Sequence, residues 1–376
     1  MSTIAAFNDF MLATREAPLS GTDQIQNEAT KYRTYLLRKM LAGLSKEKLL
    51  QSGTKIVDYI QLALTSTYQD YAPTQDFTFQ ASNSLTKIEV PWKFSLVSSN
   101  WTDHEIELNS GGDLKTVFKT IKKVKEQEMM TALYEGMEDA FWATPDVVEM
   151  EGGTATGKKP YSLRCFITPT GGAPAAANGG VVGADWTTVM TVNPTTLTNW
   201  KNQVENYDGT SATTVRGTNG IIPAMDRMWL DTQFESPTDA QQYAQDTKIN
   251  KTSILASKVG YSTLVDIMNS RNDRMLPAQG GNDLGYANGR ITYHGMPISY
   301  IGALDTVDAT LDAAAKPNFR FVNFNYIYPI FHTKRYMTAI DLPNSARQPF
   351  SHGIIRDTWR NLWCSSRRSQ GFVSAS

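Results

Sequence analysis

The sequence predicts an α+β protein, on three observations. One stretch, Asp113 to Ala143, reads as a single long helix. A second, from Lys87 to Leu96, alternates apolar and polar residues without a break. After Pro145 the patterns become short and mixed, strand and helix in turn. Long helices and long period-two strands in one chain, with no regular βα repeat, are the signature of that class.

The helix comes first because the other parts are arranged about it. Ser110 and Asp113 offer N-caps beside Gly111-Gly112, and Thr144-Pro145 stops it. At 1.5 Å per residue it is about 46 Å long. Leu114, Val117, Phe118, Ile121 and Val124 share one face of its first half. Met130, Leu133, Met137, Ala140 and Phe141 share a rotated face of the second, as suits a helix that packs on different neighbours along its length. Lys115, Lys119, Lys122 and Lys123 crowd the N-terminal half, and Glu135, Glu138 and Asp139 the C-terminal half. Both clusters oppose the helix macrodipole, so the order needs a cause outside the helix: Lys119, Lys122, Glu135 and Glu138 are candidates for contacts between subunits.

The strand signal is the clearest in the chain. Ile88, Val90, Trp92, Phe94 and Leu96 alternate with Lys87, Glu89, Pro91, Lys93 and Ser95, and Pro91 on the polar side marks an edge. Phe77 and Phe79 alternate with Thr78 and Gln80, and Ala81 to Ser84 supply a turn, so a hairpin over 76–99 is expected. A lone hairpin is marginal in water. Its apolar face, with Ile88, Val90, Trp92 and Phe94, needs either the chain's own core or a neighbouring subunit.

Before the hairpin, Ile25, Ala29, Tyr32, Leu36 and Met40 mark a helix over 23–41, and a second short helix is expected over 55–64, with Ser45 to Lys48 as a charged break between them. Nothing closes this region on itself, so it reads as an arm. After Pro145, residues 151–183 are rich in Gly, Ala, Thr and Pro, which is loop chemistry. A helix is expected over 194–204, two short helices over 221–245, a strand at 254–257, a helix over 261–269, and strands at 290–293 and 297–301 flanking the turn His294-Gly295. Phe319 to Phe331 is aromatic on both sides and should be buried on both, with further strands at 336–342, 354–362 and 370–374.

The chain has 376 residues and a formal net charge of −1, so two domains are the default and no general attraction to nucleic acid or anionic membrane follows. Cys165 and Cys364 lack metal-ligand spacing and read as two free thiols. No basic start, long apolar run or membrane-length segment is present, so neither a signal peptide nor a membrane span is expected.

Little here carries catalytic chemistry. Gly152, Gly157 and Lys158 match the spacing of a phosphate-cradling loop, but Lys159 replaces the hydroxyl residue that would meet magnesium, and Pro160 follows where a helix should begin. A nucleotide-binding enzyme is the outside alternative. His104, His294, His332 and His352 have no ligand partners at useful spacing, and no serine sits in a nucleophile elbow. No catalytic, cofactor-binding or metal-ligating residue is assigned. Arg367-Arg368 has the charge to contact phosphate, but a two-residue basic step reads as a solvated turn.

Two segments carry a resemblance. Val90-Pro91-Trp92-Lys93-Phe94 runs through Ile106 to Asp113 into the long helix, and Trp359-Arg360-Asn361-Leu362 leads to Arg367-Arg368-Ser369-Gln370-Gly371. Together with the order of parts, they resemble the major capsid proteins of tailed bacteriophages, which have the Hong Kong 97-like fold. The resemblance implies an N-terminal arm over 1–75, an extended loop over 76–110, a peripheral domain of 111–145 with 315–376, and an axial domain over 146–314. It implies a structural protein, not an enzyme and without a cofactor, that assembles with itself as hexamers and pentamers into an icosahedral shell. It further implies double-stranded DNA packaged without sequence preference, scaffolding, portal and cement proteins as candidate partners, and a place in the virion after assembly in the bacterial cytoplasm. An encapsulin-like compartment shell would share the fold and enclose proteins instead.

Overall fold

A computed structural model describes residues 30–32, 34–40, 48–51, 53–62, 70, 72, 85–109, 114–152, 157–169, 186, 188–208, 220–233, 252–270, 284–287, 290–311, 316–342 and 350–375. A short helix, α1 (Leu36–Lys39), is the described part of the helix expected over 23–41. β1 (Lys48–Leu50) follows, and Gly53 at φ 113° turns the chain into β2 (Lys55–Gln61). β2 stands where a helix is expected. Ile56, Val57, Tyr59 and Ile60 are β-formers, and an antiparallel partner, β3 (Leu85–Pro91), fixes their choice in the register Lys55↔Pro91 to Gln61↔Leu85. β3 therefore pairs with β2; the strand and turn expected over 77–84 lie outside the described residues.

β4 (Lys93–Thr102) continues beyond Trp92 into α2 (Asp103–Asn109). A capping box starts α2: Thr102 N donates to Glu105 Oε2 at 3.2 Å, and Glu105 N donates to Thr102 Oγ1 at 3.3 Å. The long helix, α3 (Leu114–Trp142), ends within a residue of its expected bounds on each side. Asp146 caps α4 (Val147–Glu151) by accepting from Val148 N and Glu149 N. α5 (Leu163–Phe166) comes next. The helix expected over 194–204 is instead a 3-10 turn at Thr198–Trp200 followed by β5 (Gln203–Tyr207). Asn193 Oδ1 accepts from Thr195 N at 2.9 Å, so the side chain closes a local turn around Pro194 and takes the place of a helical start.

The remaining elements are α6 (Ile221–Thr232), β6 (Thr252–Ala256), α7 (Lys258–Ser270), β7 (Leu284–Ala287), β8 (Arg290–Tyr293), β9 (Met296–Tyr300), α8 (Ala303–Leu311), β10 (Phe319–Asn323), β11 (Ile327–His332), β12 (Thr338–Leu342), β13 (Ser351–Cys364) and β14 (Gly371–Ala375). The aromatic run 319–331 is thus two strands about a turn. All five residues of β10 are buried, and Arg320 among them is paired with Asp308 at 2.6 Å.

The chain divides into two compact units: Met1–Lys31, Phe94–Gly136 and Lys334–Thr358 in one, and Tyr32–Lys93, Met137–Thr333 and Trp359–Ser376 in the other. In the first, β12 pairs antiparallel with the start of β13, from Thr338↔Asp357 to Leu342↔Gly353, and β4 also pairs with β13. Trp101, Met129 and Ile354 form its core with Val97 against them, so the long helix covers these strands there.

In the second unit a seven-stranded sheet runs β5-β14-β10-β6-β9-β8-β7. Ile222, Met225 and Met228 of α6 and Leu264 of α7 pack with Ile254, Phe319 and Phe321 of the sheet in one core. Gly371 lets α6 come close, since a Cβ there would collide with the Met228 side chain. The same unit holds β1 parallel to β11, and β11 antiparallel to the end of β13 from Ile327↔Cys364 to Phe331↔Arg360.

Candidate functional site

The apolar face of the Leu85–Thr102 run divides at Lys93. Ile88 and Val90 are 0% exposed and Trp92 is 6% exposed, while Phe94 and Leu96 are 49% and 65% exposed. Ile88, Val90 and Trp92, expected among the contacts between subunits, are therefore buried inside their own chain. β2 is the reason: it sets Ile56 opposite Val90 and supplies the partner strand that the sequence did not reveal. The Trp92 indole donates to Gly53 O at 3.0 Å, and Asn361 Nδ2 donates to Pro91 O at 2.7 Å. Phe94 keeps about half and Leu96 about two thirds of its surface in the single chain. On the ribbon's outward side Val57, Tyr59 and Leu85 are also exposed. There Lys87 and Lys55 hold the Glu89 carboxyl down at about 2.

Lys93 lies within β4 between Trp92 and Phe94, yet its ammonium is buried. It donates to the carbonyls of Glu149 at 2.9 Å, Gly152 at 3.2 Å and Gly157 at 3.0 Å. Desolvation lowers its pKa, against the opposing pull of Glu149. This accounts for the glycine-spaced loop. The described ends of Gly152–Lys158 turn carbonyl oxygens toward a cation, whereas a phosphate cradle turns N–H groups toward an anion. The nucleotide reading gains no support from this geometry.

The acidic half of the long helix is likewise engaged within the chain. Glu138 is 0% exposed and accepts from Leu36 N at 2.9 Å, Leu37 N at 2.8 Å and Trp142 Nε1 at 2.8 Å. It caps α1, whose own N-cap residue Tyr35 makes no side-chain cap. Burial raises its pKa, and the three donors offset this only in part. Glu135 Oε1 accepts from Lys31 N at 2.6 Å, and Asp139 Oδ1 accepts from the Tyr32 hydroxyl at 2.7 Å. Glu135 and Glu138 thus have partners in residues 31–37, and full burial takes Glu138 out of reach of a neighbouring subunit. The side chains of Lys119 and Lys122 lie outside the described residues.

The C-terminal segment is a set of buried polar anchors. Arg367, expected in a solvated turn, is fully buried and donates to Phe166 O at 3.2 Å, Trp200 O at 3.0 Å and Asn202 Oδ1 at 3.3 Å. Burial pushes its guanidinium down to about 10. Asn361 Oδ1 accepts from Tyr161 N and Leu362 N, and the Gln370 side chain bonds both Asn323 N and Asn323 O. Arg360 is also buried, with its guanidinium 5.9 Å from the Phe141 ring centre. Lys93, between Trp92 and Phe94, could have been marked as a basic residue between large apolar ones; Arg360, followed by Asn361, and Arg367, between Ser366 and Arg368, carry no such signal.

His352 Nε2 lies 2.8 Å from Asp103 and stacks on Trp101, while His332 sits between the rings of Trp92 and Trp359. Cys165 and Cys364 are free and buried, and burial pushes the two thiols up to about 11 and about 12. Among the described residues no group of three metal-ligating side chains comes together.

No protein-family model matches the chain, and no curated protein matches it. Solved structures do. The chain is similar to a subunit of the capsid asymmetric unit of Cyanophage A-1(L), with TM-score 0.57 and 11% identity over 95% of this chain and 97% of that one. It is also similar to a subunit of the mature capsid of bacteriophage PhiM1, with TM-score 0.51 and 10% identity over 96% of this chain and 93% of that one. The chain therefore has the fold of tailed-phage capsid subunits, the Hong Kong 97-like fold, as the order of its parts implied.

Proposed function

We propose that this chain is the major capsid protein of a tailed bacteriophage, the subunit that assembles with itself as hexamers and pentamers into the icosahedral shell around the double-stranded DNA genome. The observation that carries the reading is the end-to-end likeness to capsid subunits, which takes in nearly the whole of this chain and of each of theirs. Two features agree with it. The exposed side chains of Phe94 and Leu96, and of Val57, Tyr59 and Leu85, supply apolar area for burial against a second copy. The net charge of −1 suits a lining that does not grip packaged DNA, because phosphate contacts dominate that affinity.

In this reading residues 111–145 and 315–376 form the peripheral domain and 146–314 the axial domain. Residues before 76 form the arm, except that the extended loop starts at β2, the partner of β3. Scaffolding, portal and cement proteins are partners to be sought, and the virion is the site of action after assembly in the host cytoplasm. The test is negative-stain microscopy and sedimentation of the full chain, expressed alone and with its viral neighbours. Closed shells that contain DNA in the complete virus are the expected result. Shells that enclose protein and no nucleic acid would point to an encapsulin-like compartment. A small species that never assembles under either condition overturns the proposal.

A further inference from the structure

The turn between β8 and β9 is built from His294 and Gly295, both at positive φ, 46° and 76°, with Tyr293↔Met296 closing the ladder. Positive φ at both central positions is the pattern that Asn-Gly satisfies at least strain. Histidine is among the non-glycine residues enriched at positive φ, so the turn accepts it, and its ring reaches α6. That ring lies flat on Trp229 of α6, with centroids 4.4 Å apart and planes 16° apart. Its Nε2 is 3.0 Å from Asp226 Oδ1, an oxygen that also accepts from the Tyr293 hydroxyl. Two side chains of the hairpin, Tyr293 and His294, thus meet at one carboxylate of the helix. The ring is mostly covered, and the carboxylate is 46% exposed.

We propose that His294 is a proton-operated clasp that ties the β8–β9 hairpin, near the edge of the seven-stranded sheet, to α6. When the imidazole is charged it forms an ion pair with Asp226 and a cation–π contact with Trp229; when neutral it keeps a hydrogen bond to Asp226 and a stacking contact. Imidazole is the side chain that changes charge in the physiological range, so tightness of the hairpin then follows pH. The other charged and titratable groups on the packed elements do not take over the role. Arg227, next to Asp226 on α6, is turned to Glu205 of β5 at 2.8 Å. Asp231 of α6 has its carboxyl raised by burial and by Glu205, with Arg227 opposing. Tyr293 is a further titratable neighbour among the described residues, and it is a donor to Asp226.

The test is hydrogen exchange of the backbone amides in 290–300, measured on the full chain at about pH 5.5 and about pH 8 and corrected for the intrinsic rate. Three proteins are compared: the parent, His294→Asn, which keeps the turn and removes the ring, and Asp226→Asn, which keeps an acceptor for Tyr293 and removes the charge. The parent is expected to gain roughly fivefold protection over both variants on going to the lower pH. At the higher pH His294→Asn should be as well protected as the parent or better. Equal pH dependence in all three proteins overturns the proposal. So does a protection loss in His294→Asn that is the same at both pH values, which would make the ring a purely structural support.

Discussion

The guanidinium of Arg367 donates from Nη1 to the Trp200 carbonyl, 3.0 Å away across 167 positions of chain. With its bonds to Phe166 O and Asn202 Oδ1, this one side chain joins α5, the 3-10 turn and the C-terminal segment. Replacing it with Met would leave buried acceptors unmet at about 1 kcal/mol or more apiece, so Arg367→Met should lose about 3 kcal/mol of stability or more. Arg367→Lys should recover only part, because an ammonium lacks the planar fork. Urea unfolding checks this. A lower midpoint at unchanged slope is the expected outcome.

Glu138 gives a pH dependence with a definite sign. Its folded pKa is raised above the ordinary value by burial. A carboxyl of that kind contributes stability below its unfolded pKa and loses the contribution as pH rises through the folded value. The margin of the parent over Glu138→Gln should therefore be largest in acid, below about pH 4.5, and shrink toward neutrality. Glu138→Ala removes the acceptor altogether, leaves Leu36 N, Leu37 N and Trp142 Nε1 unpaired, and should cost about 2 kcal/mol or more at every pH. Thermal unfolding of the three proteins between pH 4 and pH 7 is the measurement, those limits being about the carboxyl range.

Trp92 and the pair Phe94 and Leu96 should separate folding from assembly. Trp92→Ser removes a buried indole and its bond to Gly53 O, and the monomer should lose about 3 to 5 kcal/mol. Phe94→Ser with Leu96→Ser alters exposed side chains, and monomer stability should change by less than about 1 kcal/mol. If these two side chains face another copy, the double variant stays folded and fails to form shells by sedimentation. Shells formed as readily as by the parent would place that interface elsewhere.

The thiols should be silent in the folded protein. With Cys165 pushed up to about 11 and Cys364 to about 12, less than about a thousandth of either is thiolate at about pH 8, and both are buried. Iodoacetamide should label neither in native buffer and both in urea, as read by intact mass. Rapid native labelling of either would show that its cover opens.

The long helix, the β-strand run through Trp92, the turn at His294-Gly295 and the buried aromatic strands were legible in the sequence. Each is fixed by a local rule: apolar spacing of 3.6 or 2, a breaker pair, or a residue tolerant of positive φ. What the sequence could not decide was which partner a segment meets. Residues 55–61 carry both a weak helical and a weak strand pattern, and only pairing with β3 made them a strand. The charge order of α3 suggested an interface device, and for its acidic half the structure adds partners within the chain: Glu135, Glu138 and Asp139 receive donors from residues 31–37. Lys93 and Arg367 looked solvated because cations usually are. They are buried because carbonyls distant in the chain, at Gly157 and Trp200, converge on them. A periodic pattern is a property of neighbours in sequence. The energy of a buried charge depends on dipoles gathered from many places in the chain, and only the tertiary structure brings those together.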